Sequence, residues 1–204
     1  MKAPQQTALI RCRDSEGAVP LIMSFRGDYR FLSNFYRAHV FLPAESVLLQ
    51  GRKKHLNLPH MTFNSVENAY MAWKSPDVAV RQQIKDMSPH AAKELSQTEE
   101  FVAAHRADYS DEARITTMLM LVRQKFLSPE NAALADMFLQ RAASATLIEG
   151  TTWNERFFGF CIKTGVGQNY LGRILMTVRD ELRVREGMCP LLEKPVLPKA
   201  VLER

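Results

Sequence analysis

Ser65-Val-Glu-Asn-Ala-Tyr-Met-Ala-Trp-Lys74, followed by Ser75-Pro76, carries its own start and stop signals. Ser65 is a good N-cap residue, since its side-chain oxygen can accept an orphan amide of the first turn. Pro76 disfavours helical backbone in the residue before it. The run therefore reads as one short helix. Glu67, Met71 and Lys74 share a face of it, because positions i, i+4 and i+7 align. Seven residues rise about 10 Å, too far for a close ion pair unless the two side chains lean together. The acid and the amine can instead flank a ligand. Glu67 also sits in the first turn, where the helix dipole and free amides favour its ionised form. The plainer reading is a helix-end acid with a solvated lysine at the far end.

Outward from this run the pattern stays helical. A second helix fits 77–87. Ser88-Pro89 and Ser128-Pro129 each place a cap residue before a first-position proline, with helices to about 97 and 142. Ile115, Met118, Leu119, Val122 and Phe126 recur at three- and four-residue spacing and mark one apolar face of a long helix. A last helix carries Leu171, Leu175, Val178 and Leu182 and stops near Gly187. Short apolar runs at 21–25 and 38–50 suit strands, 145–148 is ambiguous, and 51–62 reads as a basic loop. The expected class is mainly α, an α+β fold with a minor β component, in a single compact domain. That domain is placed at 21–186, with an N-terminal extension at 1–20. The breakers Gly187, Pro190, Pro195 and Pro198 mark a C-terminal tail at 187–204.

The 204 residues are 46% hydrophobic and 24% charged, enough apolar content for a real core. The formal net charge of +5 suits a phosphate-bearing ligand or a nucleic acid. The three cysteines, at 12, 161 and 189, form no CxxC pair, and the five histidines show no HExxH spacing. Neither a zinc cage nor another metal site is expected. No apolar stretch approaches the roughly 20 residues of a membrane span. A soluble, cytoplasmic protein is the expectation, with no membrane partner.

Further runs carry chemistry. Phe25-Arg26-Gly27 leads into Tyr29-Arg-Phe31-Leu-Ser-Asn-Phe35, an aromatic segment with a turn at Ser33-Asn34. Glu149-Gly-Thr-Thr-Trp-Asn-Glu-Arg-Phe-Phe-Gly159 brings two acids and several aromatics together. Gly165-Val-Gly-Gln-Asn-Tyr-Leu-Gly172 opens the last helix, where backbone amides can meet phosphate. A simple cap by Asn169 is the commoner explanation. In this order the runs resemble the NADAR (NAD- and ADP-ribose-associated) family, which includes the YbiA-like N-glycosidases. The similarity covers about 23–186. Glu67, Tyr70, Ala72 and Lys74 match that family's helix, and Glu149, Trp153 and Gly159 match its acidic run. The glycine-rich run matches at every defined position. Departures are Asn68 and Asn154 where His is usual, Met71 for Gln, Glu155 for Asp and Phe158 for Trp.

The resemblance implies an active site containing Glu67, Lys74 and Glu155. It makes Arg26 a phosphate ligand, bound through parallel charge-assisted hydrogen bonds, with Gly27 beside it and Asn34 contacting ribose or base. Ser33, Phe35, Asn68, Met71, Trp153, Phe158, Gly165, Gly167 and Asn169 complete the implied binding set. The implied activity is hydrolysis of the bond between a base nitrogen and ribose C1 in a phosphorylated ribosyl or ADP-ribosyl substrate. Two substrate classes follow: ribosylamino intermediates of riboflavin synthesis, and ADP-ribosylated guanine in nucleic acid, which the basic Arg52-Lys53-Lys54-His55 could meet. No cofactor is implied. The alternatives are a catalytically degenerate module that binds ADP-ribose or a nucleotide, and a helical interaction protein.

Overall fold

The computed structural model describes residues 20–48 and 55–202. The extension at 1–19, Cys12 and the basic residues Arg52 to Lys54 lie outside the described residues. In chain order come β1 (Leu21–Ile22), a 3-10 turn (Gly27–Leu32), β2 (Arg37–Leu42), β3 (Glu45–Leu48), β4 (His55–Leu58) and β5 (Met61–Ser65). Then follow α1 (Val66–Trp73), α2 (Val78–Asp86), α3 (Pro89–Leu95), α4 (Glu99–Ala103), α5 (Asp111–Leu127) and α6 (Ala132–Arg141). The chain closes with β6 (Thr146–Leu147), β7 (Gly150–Thr151), β8 (Phe160–Cys161), α7 (Tyr170–Arg185) and α8 (Lys199–Leu202). Helices dominate, and among the described residues the strands form two-stranded pairs, so the class is α+β with a helical majority.

The signals for α1 act as read. Ser65 accepts from the amide of Asn68 at 3.0 Å. All eight residues of α1 are buried, as in a helix packed on every side. It lies against α2, α3, α5 and the β2–β5 ladder. Its C-terminal end meets two guanidinium groups. Arg81 donates to the Ser75 carbonyl at 2.7 Å and Arg106 to the Trp73 carbonyl at 3.3 Å. Glu45 pairs with both arginines. Positive charge thus complements the negative end of α1 and fixes where Lys74 emerges.

The stretch 51–62 is not simply a basic loop. His55-Leu-Asn-Leu58 and Met61-Thr-Phe-Asn-Ser65 are strands, paired with β3 and β2. Each alternates polar and apolar residues, and Leu58, Met61 and Phe63 are buried. Basic composition hid that two-residue period. The ambiguous segment before Glu149 pairs in parallel with β1 through Thr146 and Leu147. α7 ends in a Schellman motif: Gly187 is left-handed (φ +74°), its amide bonds Val184, and that of Met188 bonds Arg183. Beyond it the chain returns along α7, where Asp180 accepts from the amides of Leu191 and Leu192. No helix among the described residues is long and apolar enough to cross a membrane.

Lys125 on α5 is fully buried, and its Nζ donates to the Ser33 carbonyl at 2.7 Å. Burial lowers its pKa from 10.5 to about 7. Between those values the unfolded chain holds a proton that the folded chain does not. Stability therefore rises with pH across that window. Lys125→Met removes the ammonium, while the Ser33 carbonyl keeps its bond from the Tyr36 amide. Urea melts should show a gain of about 1–4 kcal/mol below pH 7 that fades towards pH 10. A gain independent of pH would contradict the assignment.

Candidate active site

Four residues of α1 and its C-cap, Glu67, Tyr70, Met71 and Lys74, point into one cavity of about 160 Å³. This is the i, i+3, i+4, i+7 face realised inside the molecule rather than on its surface. The Ser33-Asn34-Phe35 turn forms a second wall. It is tied to α1 directly, because the Asn34 carbonyl accepts the Glu67 amide at 3.0 Å. Lys93 on α3 and Arg114 and Met118 on α5 add a third wall, and Glu149, Thr151, Trp153, Glu155 and Phe158 a fourth. A larger groove of about 480 Å³ runs between α7 and the C-terminal segment. Two of its acids are already engaged, Asp180 by backbone amides and Glu181 by Arg123, and no basic or acidic side chains converge across it as they do in the smaller cavity. The smaller cavity is therefore where chemistry can occur.

The polar groups of that cavity are short of partners. Glu67 is 4% exposed, and the one ion pair of its carboxylate among the described residues is with Lys93, at 3.8 Å. Burial raises its pKa, opposed by Lys93 and Lys74. Desolvation thus works against the helix-end effect that the sequence alone suggested. The Lys74 Nζ stands 5.4 Å from the Tyr70 ring centre and has no hydrogen bond or ion pair among the described residues. Burial lowers its pKa to about 8, Glu67 opposing and Arg114 assisting. Glu149 also has no side-chain partner among the described residues. Burial, against the pull of Lys93, raises its pKa to about 7. Asn34 is 7% exposed, and its Oδ1 has no hydrogen-bond partner among the described residues.

Aromatic rings frame these groups. Tyr70 stacks on Trp73 at 5.6 Å and meets the edge of Phe158 at 5.4 Å. The Arg114 guanidinium carbon lies 3.6 Å from the Phe157 ring centre, a close cation–π contact. Trp153 stands at the rim with 56% of its surface exposed, open to a stacking ligand.

Of the residues singled out in the sequence, Glu67, Lys74, Glu155, Ser33, Asn34, Phe35, Met71, Trp153 and Phe158 line the cavity. Arg26, Gly27, Asn68, Gly165, Gly167 and Asn169 do not. Arg26 is exposed, and Gly27 has the left-handed backbone of a turn. Asn68 is a buried latch whose amide donates to the carbonyls of Ile84 and Met87. A side chain at Gly167 would strike the Gly159 carbonyl at 2.5 Å, so close backbone approach accounts for that glycine. Gly165 is left-handed (φ +67°). Asn169 makes no side-chain cap; it bonds the Glu149 amide and the Leu147 carbonyl instead, both at 2.9 Å. Glu155 lines the cavity, but its Oε1 accepts the amides of Phe157 and Phe158 at 2.7 and 3.1 Å.

Lys93, Arg114 and Tyr109 carried no signal in the sequence. Lys93 reads as a surface lysine, and Arg114 pairs with Asp111 at i, i+3 like any exposed helix residue. Only packing against α1 turns them inward.

Residues 24–183 match the NADAR domain. The chain is 31% identical over 156 residues to a riboflavin biosynthesis protein of Vibrio vulnificus (strain YJ016). That match covers 76% of this chain but 36% of the relative, so the chain spans about a third of that protein's length. The solved NMR structure of the E. coli protein YbiA is similar with a TM-score of 0.58 at 23% identity, over 86% of this chain and 92% of that one. At that identity the likeness concerns the fold.

Proposed function

This chain belongs to the NADAR family, and we propose that it is an N-glycosidase, cleaving the bond between a base nitrogen and ribose C1 in a phosphorylated ribosyl substrate. The observation that carries this is the convergence of Glu67, Glu149 and Lys74 on one cavity, their side chains making no hydrogen bond among the described residues. Leaving the base builds positive charge on C1 and the ring oxygen. A carboxylate beside the ring stabilises that charge and orients water. Glu67 has the position for this, with Lys93 and Lys74 favouring its ionised form. The Lys74 ammonium is a free donor for a ligand oxygen.

The cavity is smaller than the roughly 300–1,000 Å³ of sites that enclose a drug-sized ligand. It suits one sugar ring, with base and phosphate reaching past it. Lys93, partly exposed, and Arg114 offer anion contacts at its edges, and Trp153 and Phe35 offer faces for a base. The name of the Vibrio vulnificus relative favours ribosylamino phosphates of riboflavin synthesis over ADP-ribosylated guanine. A binding-only module finds less support. Of the departures, Asn68 and Asn154 lie outside the cavity lining; Met71 and Phe158 lie within it, where Phe158 keeps an aromatic face and Met71 gives up the amide contact of the usual Gln.

Chromatography of reaction mixtures tests this. Offered a ribosylamino-pyrimidine phosphate, an ADP-ribosyl-guanine oligonucleotide and NAD, the protein should release free aminopyrimidine from the first. Tight ADP-ribose binding by calorimetry, with no base released from any substrate, would leave the binding module standing instead.

A further inference from the structure

We infer that Glu149 is the proton donor to the leaving nitrogen, a role that rests on the glycosidase reading. Backbone geometry comes first. Its amide donates to Asn169 Oδ1 at 2.9 Å, and its carbonyl accepts from the Phe160 amide at 2.8 Å. The same Asn169 side chain holds the Leu147 carbonyl at 2.9 Å. Gly172 lets α7 approach so closely that an added Cβ would lie 2.2 Å from that carbonyl. The glycine-rich turn thus fixes the backbone of Glu149. Its side chain is left facing the cavity with no protein partner among the described residues.

Elimination among the carboxylates follows. Glu155 is engaged by the Phe157 and Phe158 amides, which need it as an acceptor. Glu67 makes an ion pair with Lys93 at 3.8 Å, which favours its ionised form and which Glu149 does not make among the described residues. The charged groups facing Glu149 are Lys93, Glu67, Arg26 and Glu155, and burial outweighs them all. Its carboxyl, near 7, is still substantially protonated at neutral pH, which suits a general acid.

In the step, the C1–N bond breaks and its electron pair stays on the nitrogen. That nitrogen takes the proton of Glu149. Water adds its hydroxyl to C1 and passes its proton to the Glu67 carboxylate. Proton exchange with solvent at the cavity mouth restores both acids, so one water is consumed per turnover.

The test compares two ribosyl 5-phosphates, one losing an aromatic amine and one losing 4-nitrophenolate, which departs without a proton. Glu149→Gln should lose about 100-fold in kcat on the amine substrate and less than about 5-fold on the nitrophenyl one. Its rate on the amine should also lose the alkaline fall that begins near pH 7. Glu149→Asp, which keeps the acid, should recover part of the amine cleavage. Retained nitrophenyl cleavage would show the pocket intact. Equal losses on both substrates, or no loss on the amine, would overturn the assignment while leaving the glycosidase reading in place. A wild-type protein that cleaves neither would end both.

Discussion

Glu67→Gln is expected to lower turnover by about 10³–10⁴-fold and yet to melt no lower than the wild type. The two halves of that result have one cause. The carboxyl is 4% exposed and its pKa is raised, above all by burial. A carboxyl whose folded pKa exceeds its unfolded value binds its proton more tightly in the folded chain. It therefore costs stability as pH rises above the unfolded value of 4.5. Glutamine fills the same space without charge. It cannot stabilise a sugar cation or accept a proton from water. Rates of base release alongside thermal melts at pH 8 check both halves. Unaltered turnover, or a large drop in melting temperature, would assign Glu67 to the scaffold.

Lys74→Met should cost about 10²–10³-fold in turnover and should stabilise the fold below pH 8. The amine's pKa falls from 10.5 to about 8, mainly through burial. Between those values the unfolded chain carries the extra proton, so wild-type stability climbs with pH across that window. Methionine is uncharged, so its advantage should be full below about 8 and fade towards 10.5. On the rate, the wild type should lose activity as the ammonium deprotonates above about pH 8. This comes on top of the fall near pH 7 assigned to Glu149. Lys74→Met should keep the lower fall and lose the upper one. Borohydride treatment during turnover separates this role from attack by the amine on an opened sugar. A ribosyl adduct trapped on Lys74 would replace the donor role with an imine.

Both substitutions share a signature: less activity with equal or greater stability. It arises because this site holds charge in a dry place with little pairing, Glu67 having one long contact to Lys93 at 3.8 Å, which a fold selected for stability alone would avoid. Lys125 differs. Its amine nitrogen is spent on the Ser33 carbonyl, so its removal should act on stability and on the placing of the Ser33-Asn34 turn.

The helix bearing Glu67 and Lys74 was legible because everything that makes it is local. Ser65 caps it, Pro76 follows its end, and the shared face comes from helical periodicity alone. The apolar face of α5 was legible for the same reason, and Ile115, Met118, Leu119, Val122 and Phe126 are all buried. The strands at 55–58 and 61–65 are less legible, because the basic composition just before them masks their alternation.

Asn169 marks the boundary between what the chain declares and what folding decides. In the sequence it stands where a helix cap belongs, since Asn before a helix ordinarily satisfies a free amide. In the structure its backbone is left-handed and its side chain reaches Glu149 and Leu147, about twenty residues earlier. Sequence determined the helices, their caps and the common face of Glu67, Met71 and Lys74, because backbone hydrogen bonding and a 3.6-residue period act between near neighbours. Tertiary structure alone decided that Glu149, Lys93 and Arg114 would surround that face. Their approach depends on which apolar surfaces pack together, and burial then sets which of these groups keeps its proton.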